Sequence, residues 1–279
     1  MPLHPLSFYP TLLRMVFDET GTEMAIGTGF FYEHSGNYYL ITNGHCVTGI
    51  NPENNTRISS HAGYPTVASV GLLSSHEQTI VNLKDQPRPI GITNFKIPLY
   101  MDEHYAQPTW FIHPEHGYRV DVVAIPVCKV NEVPSHLSIF PLNSYPFEVE
   151  PEVGDEVFVL GYPFGITDPF EMPIWKKGSI ASEPFFSFKG LPMMLIDTAT
   201  RSGMSGSPVI IKRIGVHGPE EDERFGTASG FAGVYSGRYG VENDKLGRAD
   251  VQLGIVWKQE VIQEIIVGKA QGTIAFQNL

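Results

Sequence analysis

Three short segments carry residue types suited to nucleophilic chemistry. In Arg201-Ser202-Gly203-Met204-Ser205-Gly206-Ser207-Pro208 a serine sits among glycines, just ahead of the apolar run Val209 to Ile211. A hydroxyl is a weak nucleophile that needs a neighbouring base, and flanking glycines let backbone N–H groups converge where an oxyanion would develop. Taken alone, the same string also describes an ordinary glycine-rich hairpin turn. In Leu40-Ile41-Thr42-Asn43-Gly44-His45-Cys46-Val47 a histidine ends an apolar strand. Imidazole titrates near neutrality, so a histidine held there can take a proton and return it, although a satisfied structural histidine has the same pattern. In Tyr118-Arg119-Val120-Asp121-Val122-Val123-Ala124-Ile125 an aspartate lies inside a run that otherwise reads as buried strand. Burying an unpaired carboxylate is costly, so donors must surround it; an imidazole N–H is one that chemistry can use, and backbone capping is the alternative.

The three segments strengthen one another. A base, an orienting acid and a nucleophile occur in the order His45, Asp121, Ser205, separated by 76 and 84 positions. Bringing such distant residues together requires a fold built from many non-local pairings. Alternating or apolar runs that read as strands recur at 12–17, 27–34, 38–43, 120–127, 156–163, 194–199, 207–212 and 229–236. The one strong helical pattern is KQEVIQEIIVGKA, where Val261, Ile262, Ile265 and Ile266 share a face before Gly268. Between the strand-rich halves, residues 131–153 hold four prolines and several acids and read as a linker. Residues 48–100 are polar and irregular, and their strand register is not recoverable from pattern. The acidic run at 220–224 reads as a solvated loop tip.

The 279 residues suit two modest domains or one large β-domain, and 42% hydrophobic against 18% charged residues is a globular balance without any membrane-length apolar stretch. The 28 glycines and 22 prolines are scattered, which favours turns over disorder. A net charge of −11 repels polyanions, so nucleic acid is not expected as a partner. The N-terminal MPLHPLSFYP lacks the basic and apolar regions of a secretory signal, so residence in the cytoplasm is expected. The two cysteines, Cys46 and Cys128, allow one bridge at most and form no zinc pattern. His113-Pro114-Glu115-His116 spaces two imidazoles but shows no third ligand, so no metal is expected; with neither GxGxxG nor GxxxxGK present, no cofactor is expected either.

With GTGFF ahead of the histidine segment, then ITNGHCV, VDVVAIPV, GYPFG and GMSGSPV, the chain resembles the chymotrypsin-like serine peptidases, and more closely their disulfide-poor, bacterial trypsin-like branch, over roughly residues 25–267. The order of the three residues separates it from α/β-hydrolases, which run Ser, Asp, His, and from subtilisins, which run Asp, His, Ser. The resemblance implies an all-β fold of two packed six-stranded antiparallel β-barrels with a C-terminal α-helix. Residues 1–135 would carry His45 and Asp121, and residues 136–279 would carry Ser205 and the helix. It implies a serine endopeptidase acting on protein or peptide substrates through an acyl-enzyme. Ser205 would be the nucleophile, His45 the base, Asp121 the residue fixing the imidazole tautomer, and the N–H groups of Gly203 and Ser205 the oxyanion hole. A peptide-binding protein that does not cut, or an acyl hydrolase acting on esters, would fit the same scaffold.

By the same resemblance, the substrate pocket is lined by Ala199, Thr200, Ser236, Gly237, Arg238 and Gly254. Ala199 stands where trypsins place an aspartate, which disfavours cleavage after Lys or Arg. Thr200 matches a threonine that glutamyl endopeptidases use against an acidic side chain, and Arg238 could add positive charge, but Tyr235 stands where those enzymes have a histidine. Members activated by a cut carry an aspartate just before the nucleophile; Met204 stands there, so that ion pair is not available. Cys46 occupies the place of a bridged cysteine in secreted relatives but has no partner in the GTGFF segment, and a free buried thiol is expected.

Overall fold

A computed structural model describes residues 3–51, 56–57, 64–75, 80–83, 86–89, 91–217, 224–243 and 247–273. In the first half the strands are β1 (Pro10–Phe17), β2 (Thr22–His34) and β3 (Asn37–Thr42), then the short helix α1 (Gly44–Thr48), β4 (Val67–Ser74), β5 (Ile80–Leu83), β6 (Gln86–Pro89), β7 (Gly91–Pro98), β8 (Phe111–Ile112), β9 (Val123–Lys129) and β10 (Leu137–Ser138). The second half holds β11 (Glu156–Gly161), β12 (Ile174–Ile180), β13 (Met193–Thr198), β14 (Pro208–His217), β15 (Arg224–Asn243), β16 (Gly247–Lys258), the helix α2 (Glu260–Gly268) and β17 (Ala270–Gln271). All strand ladders are antiparallel. The acidic run expected as a loop tip lies, apart from Arg224, outside the described residues.

The second sheet closes on itself in the order β11-β12-β13-β16-β15-β14, a six-stranded barrel. Its interior is apolar because alternate residues point inward, such as Val157 and Val159 on β11 and Val209 and Ile211 on β14, each fully buried. The first sheet is larger than the six strands implied by the resemblance. The run β7-β4-β1-β2-β3-β9 supplies six, and three short strands extend it to nine: β8 beside β9, β10 beside β4, and β17 beside β8. The additions come from segments of low pattern, two residues each, whose backbone groups are satisfied by a ready sheet edge rather than by their own periodicity. The core of this sheet contains Leu13, Met15, Leu40, Val70, Trp110 and Ile125.

Helix α2 is placed as its sequence pattern requires. Val261, Ile262, Ile265 and Ile266 are all fully buried, and they join a cluster that includes Phe30, Ile41 and Val122 from the first half and Leu160, Ile210 and Trp257 from the second. The helix therefore packs across the seam. It includes Gly268 and ends on Lys269, in the left-handed region with φ 49°. No helix among the described residues is long and apolar enough to cross a membrane.

Two placements differ from expectation. Asp121 was expected within a strand, but β9 begins only at Val123; Val120, Asp121 and Val122 form a turn, with Val122 N–H donating to the Val120 carbonyl at 2.9 Å. The run is apolar because all three residues are buried between packed elements, a condition that mimics a core strand in sequence. His45 was expected at a strand end, but β3 stops at Thr42 and the histidine lies in the first turn of α1, which closes on Gly49 at φ 68°. Since α2 is shared by both halves, Ile265→Ala should cost about 2–5 kcal/mol. Its thermal transition should fall as a single cooperative event; two separate transitions by calorimetry would contradict this shared role.

Candidate functional site

Asp121 is only 3% exposed and its carboxylate is met by three donors. The His45 backbone N–H reaches Oδ1 at 2.9 Å, His45 Nδ1 reaches Oδ2 at 2.6 Å, and Ser236 Oγ reaches Oδ2 at 2.6 Å. A carboxylate so surrounded is an acceptor throughout, so Nδ1 carries the ring proton and Nε2 is left as the basic nitrogen. Gly44 permits this approach, since a Cβ there would lie 3.1 Å from Asp121 Oδ1. Asn43, also buried, ties the turn to the helix start by donating from Nδ2 to the Asp121 carbonyl at 2.6 Å.

The His45 side chain is 15% exposed. Burial pushes the imidazole's pKa down, but the adjacent Asp121 carboxylate, with the Cys46 thiol assisting, outweighs it and holds the value well above the ordinary 6.5. Because the folded value exceeds the unfolded one, the protonated ring contributes stability that is fully present below about pH 6.5 and is lost as pH rises through the raised value. Cys46 itself is a free, buried thiol, and Cys128 is free and half-buried.

Ser205 stands in a tight loop stitched at several points. Met204 N–H donates to the Arg201 carbonyl at 3.3 Å, Ser207 N–H to the Met204 carbonyl at 3.1 Å, and Gly206 N–H to the Tyr235 carbonyl at 2.9 Å. Thr28, on β2 of the first sheet, grips the loop with two bonds: its N–H to the Ser205 carbonyl at 2.8 Å and its Oγ1 to the Gly203 carbonyl at 2.9 Å. Gly203 and Gly206 have φ of 93° and 84°, and a Cβ on Gly206 would strike the Thr28 carbonyl oxygen and Thr42 Oγ1. Met204, in the place of the absent ion-pairing aspartate, is fully buried in the core of the second barrel.

Of the sequence-derived residues, His45 and Asp121 are thus in direct contact, while Ser205 connects to them through Ser236. Ser205 Oγ donates to the Ser236 carbonyl at 3.3 Å, and the Ser236 hydroxyl holds Asp121. Sequence reasoning assigned Ser236 to a substrate pocket and missed this bond. Its cause is a bulge: Tyr235 opposes Val256 and Gly237 opposes Ile255, so Ser236 has no cross-strand partner. The extra residue re-aims its side chain out of the ladder. Thr200 is buried with its Oγ1 against the Tyr235 hydroxyl, Ala199 is exposed, and Arg238 donates to the Thr200 carbonyl at 3.1 Å. Gly254 lies between Ile196 and Arg238 in the barrel. The His113 ring is buried. It is 4% exposed, with Nε2 paired to Glu264 at 2.8 Å and Nδ1 accepting from the Glu115 and His116 N–H groups, so both nitrogens are used within the fold.

Two antiparallel sheets that bring a histidine paired with a buried aspartate and a serine loop to their seam define the chymotrypsin-like class. A family model for the trypsin-like peptidase domain matches residues 27–216, and the chain belongs to that family. It is a peptidase of the serine protease type. Among solved structures, it is similar to the protease Anisep from Arthrobacter nicotinovorans (13% identity, 92% of this chain and 93% of that one, TM-score 0.46). It is also similar to the thermostable serine protease AL20 from an extremophilic microorganism (13% identity, 93% and 95%, TM-score 0.45) and to human heparin binding protein (12% identity, 96% and 94%, TM-score 0.44). No curated protein matches the chain.

The electrostatics of the pair are directly measurable. By NMR the His45 imidazole should titrate above 6.5, and in Asp121→Asn, where burial acts without the opposing carboxylate, the midpoint should move down. A midpoint unchanged by that substitution would contradict the account.

Proposed function

We propose that this protein is a serine endopeptidase that hydrolyses peptide bonds through an acyl-enzyme on Ser205. His45 serves as base and then acid, and Asp121 fixes and stabilises the imidazolium. In this reading Ser205 Oγ attacks the substrate carbonyl carbon as its proton passes to His45 Nε2. The tetrahedral intermediate collapses, the C–N bond breaks, and the departing amine takes the Nε2 proton. Water, activated by the same nitrogen, then releases the acid and restores the hydroxyl. Residues 1–135 would supply the base and the acid, and residues 136–279 the nucleophile.

The observation that carries this reading is the Asp121 carboxylate: it holds the His45 Nδ1 proton, leaving Nε2 basic, and shares Ser236 with Ser205. Support for an oxyanion site comes from the same loop, since among the described residues the N–H groups of Gly203 and Ser205 donate to no other group. Losing one such donor typically costs on the order of 10²–10³ in turnover.

A fluorophosphonate probe should label the folded protein, and Ser205→Ala should abolish labelling. Asp121→Asn should lower kcat by about 10⁴. Because only the neutral ring can accept the Ser205 proton, kcat/KM should rise with pH through a midpoint above the ordinary histidine value. Absence of labelling, or labelling that survives Ser205→Ala, would overturn the assignment; labelling with turnover of esters but not peptides would point to an acyl hydrolase instead.

A further inference from the structure

Taking Ser205 as the nucleophile, we propose that Tyr235 fills the recess beside it, so that the enzyme cleaves after small residues (glycine, alanine or serine) and rejects aromatic, long aliphatic, basic and acidic ones. Ser205 Oγ lies 3.3 Å from the Ser236 carbonyl, and by the resemblance set out above the attacked substrate residue lies along β15 at residues 236–238. Its side chain is then directed into the space bounded by that edge, by Thr200 just beyond β13, and by Gly254 on β16, which is paired to Arg238 on one side and Ile196 on the other. That space holds a phenol. A Cβ on Gly254 would lie 2.7 Å from Tyr235 Cε2, and the Tyr235 hydroxyl meets Thr200 Oγ1, so the ring spans from β15 past the glycine to the threonine.

Burial closes the argument. Tyr235 is 2% exposed and Thr200 is 1% exposed, whereas a recess deep enough for an arginine or a phenylalanine would leave its floor open to water. The floor offers an acidic side chain no free hydroxyl, since that of Thr200 is taken by Tyr235. Arg201 and Arg238 each give one guanidinium donor to the Thr200 carbonyl, at 3.0 and 3.1 Å, and keep their charge, so a glutamate is excluded by its length and not by want of a cation. At the mouth there is room: a Cβ on Gly237 would find nothing within 4 Å, which admits a substrate backbone with a short side chain. Shape therefore decides specificity here, by excluding atoms rather than by pairing charges.

The test is a set of otherwise identical peptidyl-coumarin substrates with alanine, leucine, phenylalanine, arginine or glutamate before the cleaved bond. Alanine should exceed each of the others at least tenfold in kcat/KM, and Tyr235→Ala should raise the phenylalanine-to-alanine ratio at least tenfold. The inference is overturned if any of the four larger residues is cleaved at more than a tenth of the alanine rate, if alanine is not cleaved by enzyme that a fluorophosphonate labels, or if Tyr235→Ala leaves the ratio unchanged. The ratio is taken on one preparation and does not depend on its folded fraction, and the panel on the unaltered enzyme decides alone should the variant not be recovered. Labelling is indifferent to side-chain preference, so a labelled enzyme with a different preference refutes the filled recess only, while an unlabelled one refutes the nucleophile itself.

Discussion

A carboxylate withdrawn from water must be met by donors, and the architecture around Asp121 is arranged to meet it. Its oxygens receive the backbone and ring N–H groups of His45 from the first half and a hydroxyl from Ser236 in the second. Each donor imposes a local condition on the chain: α1 must start immediately after β3, residue 44 must lack a side chain at the carboxylate, and β15 must bulge at Ser236. Removing any one would leave a buried carboxylate one donor short, which is more costly than losing a surface contact.

The serine loop is held through both kinds of backbone group: the N–H groups of Met204, Gly206 and Ser207 donate within it or to Tyr235, and its carbonyls are gripped from neighbouring elements. Those of Ser202, Gly203 and Ser205 accept from Phe164, Thr28 Oγ1 and Thr28 N–H, and Met204 anchors the loop apolarly in the barrel core. An apolar anchor is insensitive to salt and pH, unlike the ion pair that the family's cleaved members use.

Much of this was legible in the sequence where a residue's role is set by local pattern. The runs LLRMVF and EVFVLGYP and the apolar face of α2 indicate strands and a helix within a few residues of those observed, and the three motifs mark His45, Asp121 and Ser205 as a group. What was not legible depends on distant partners. Asp121 looks like part of a strand because burial between packed elements produces the same apolar run as burial within a sheet. The bond from Ser236 to Asp121 could not be read from sequence because a bulge is a property of two strands, invisible in one. The two-residue strands β10 and β17 exist only because an edge is available to receive them. Tyr235 stood out as a departure from a relative's histidine, yet its filling of the recess depends on Thr200 and Gly254, far away along the chain.

Thr28 has a consequence of a different kind. It belongs to β2, yet it grips the loop on the far side of the seam through both its N–H and its hydroxyl, while its own carbonyl is held by Thr42 Oγ1 at 2.8 Å. The surroundings of Ser205 are therefore co-owned by the two halves. A chimaera that joins one half of this chain to a relative's other half must still set an N–H and a hydroxyl where Thr28 stands, or the Ser205 and Gly203 carbonyls lose these donors at the join.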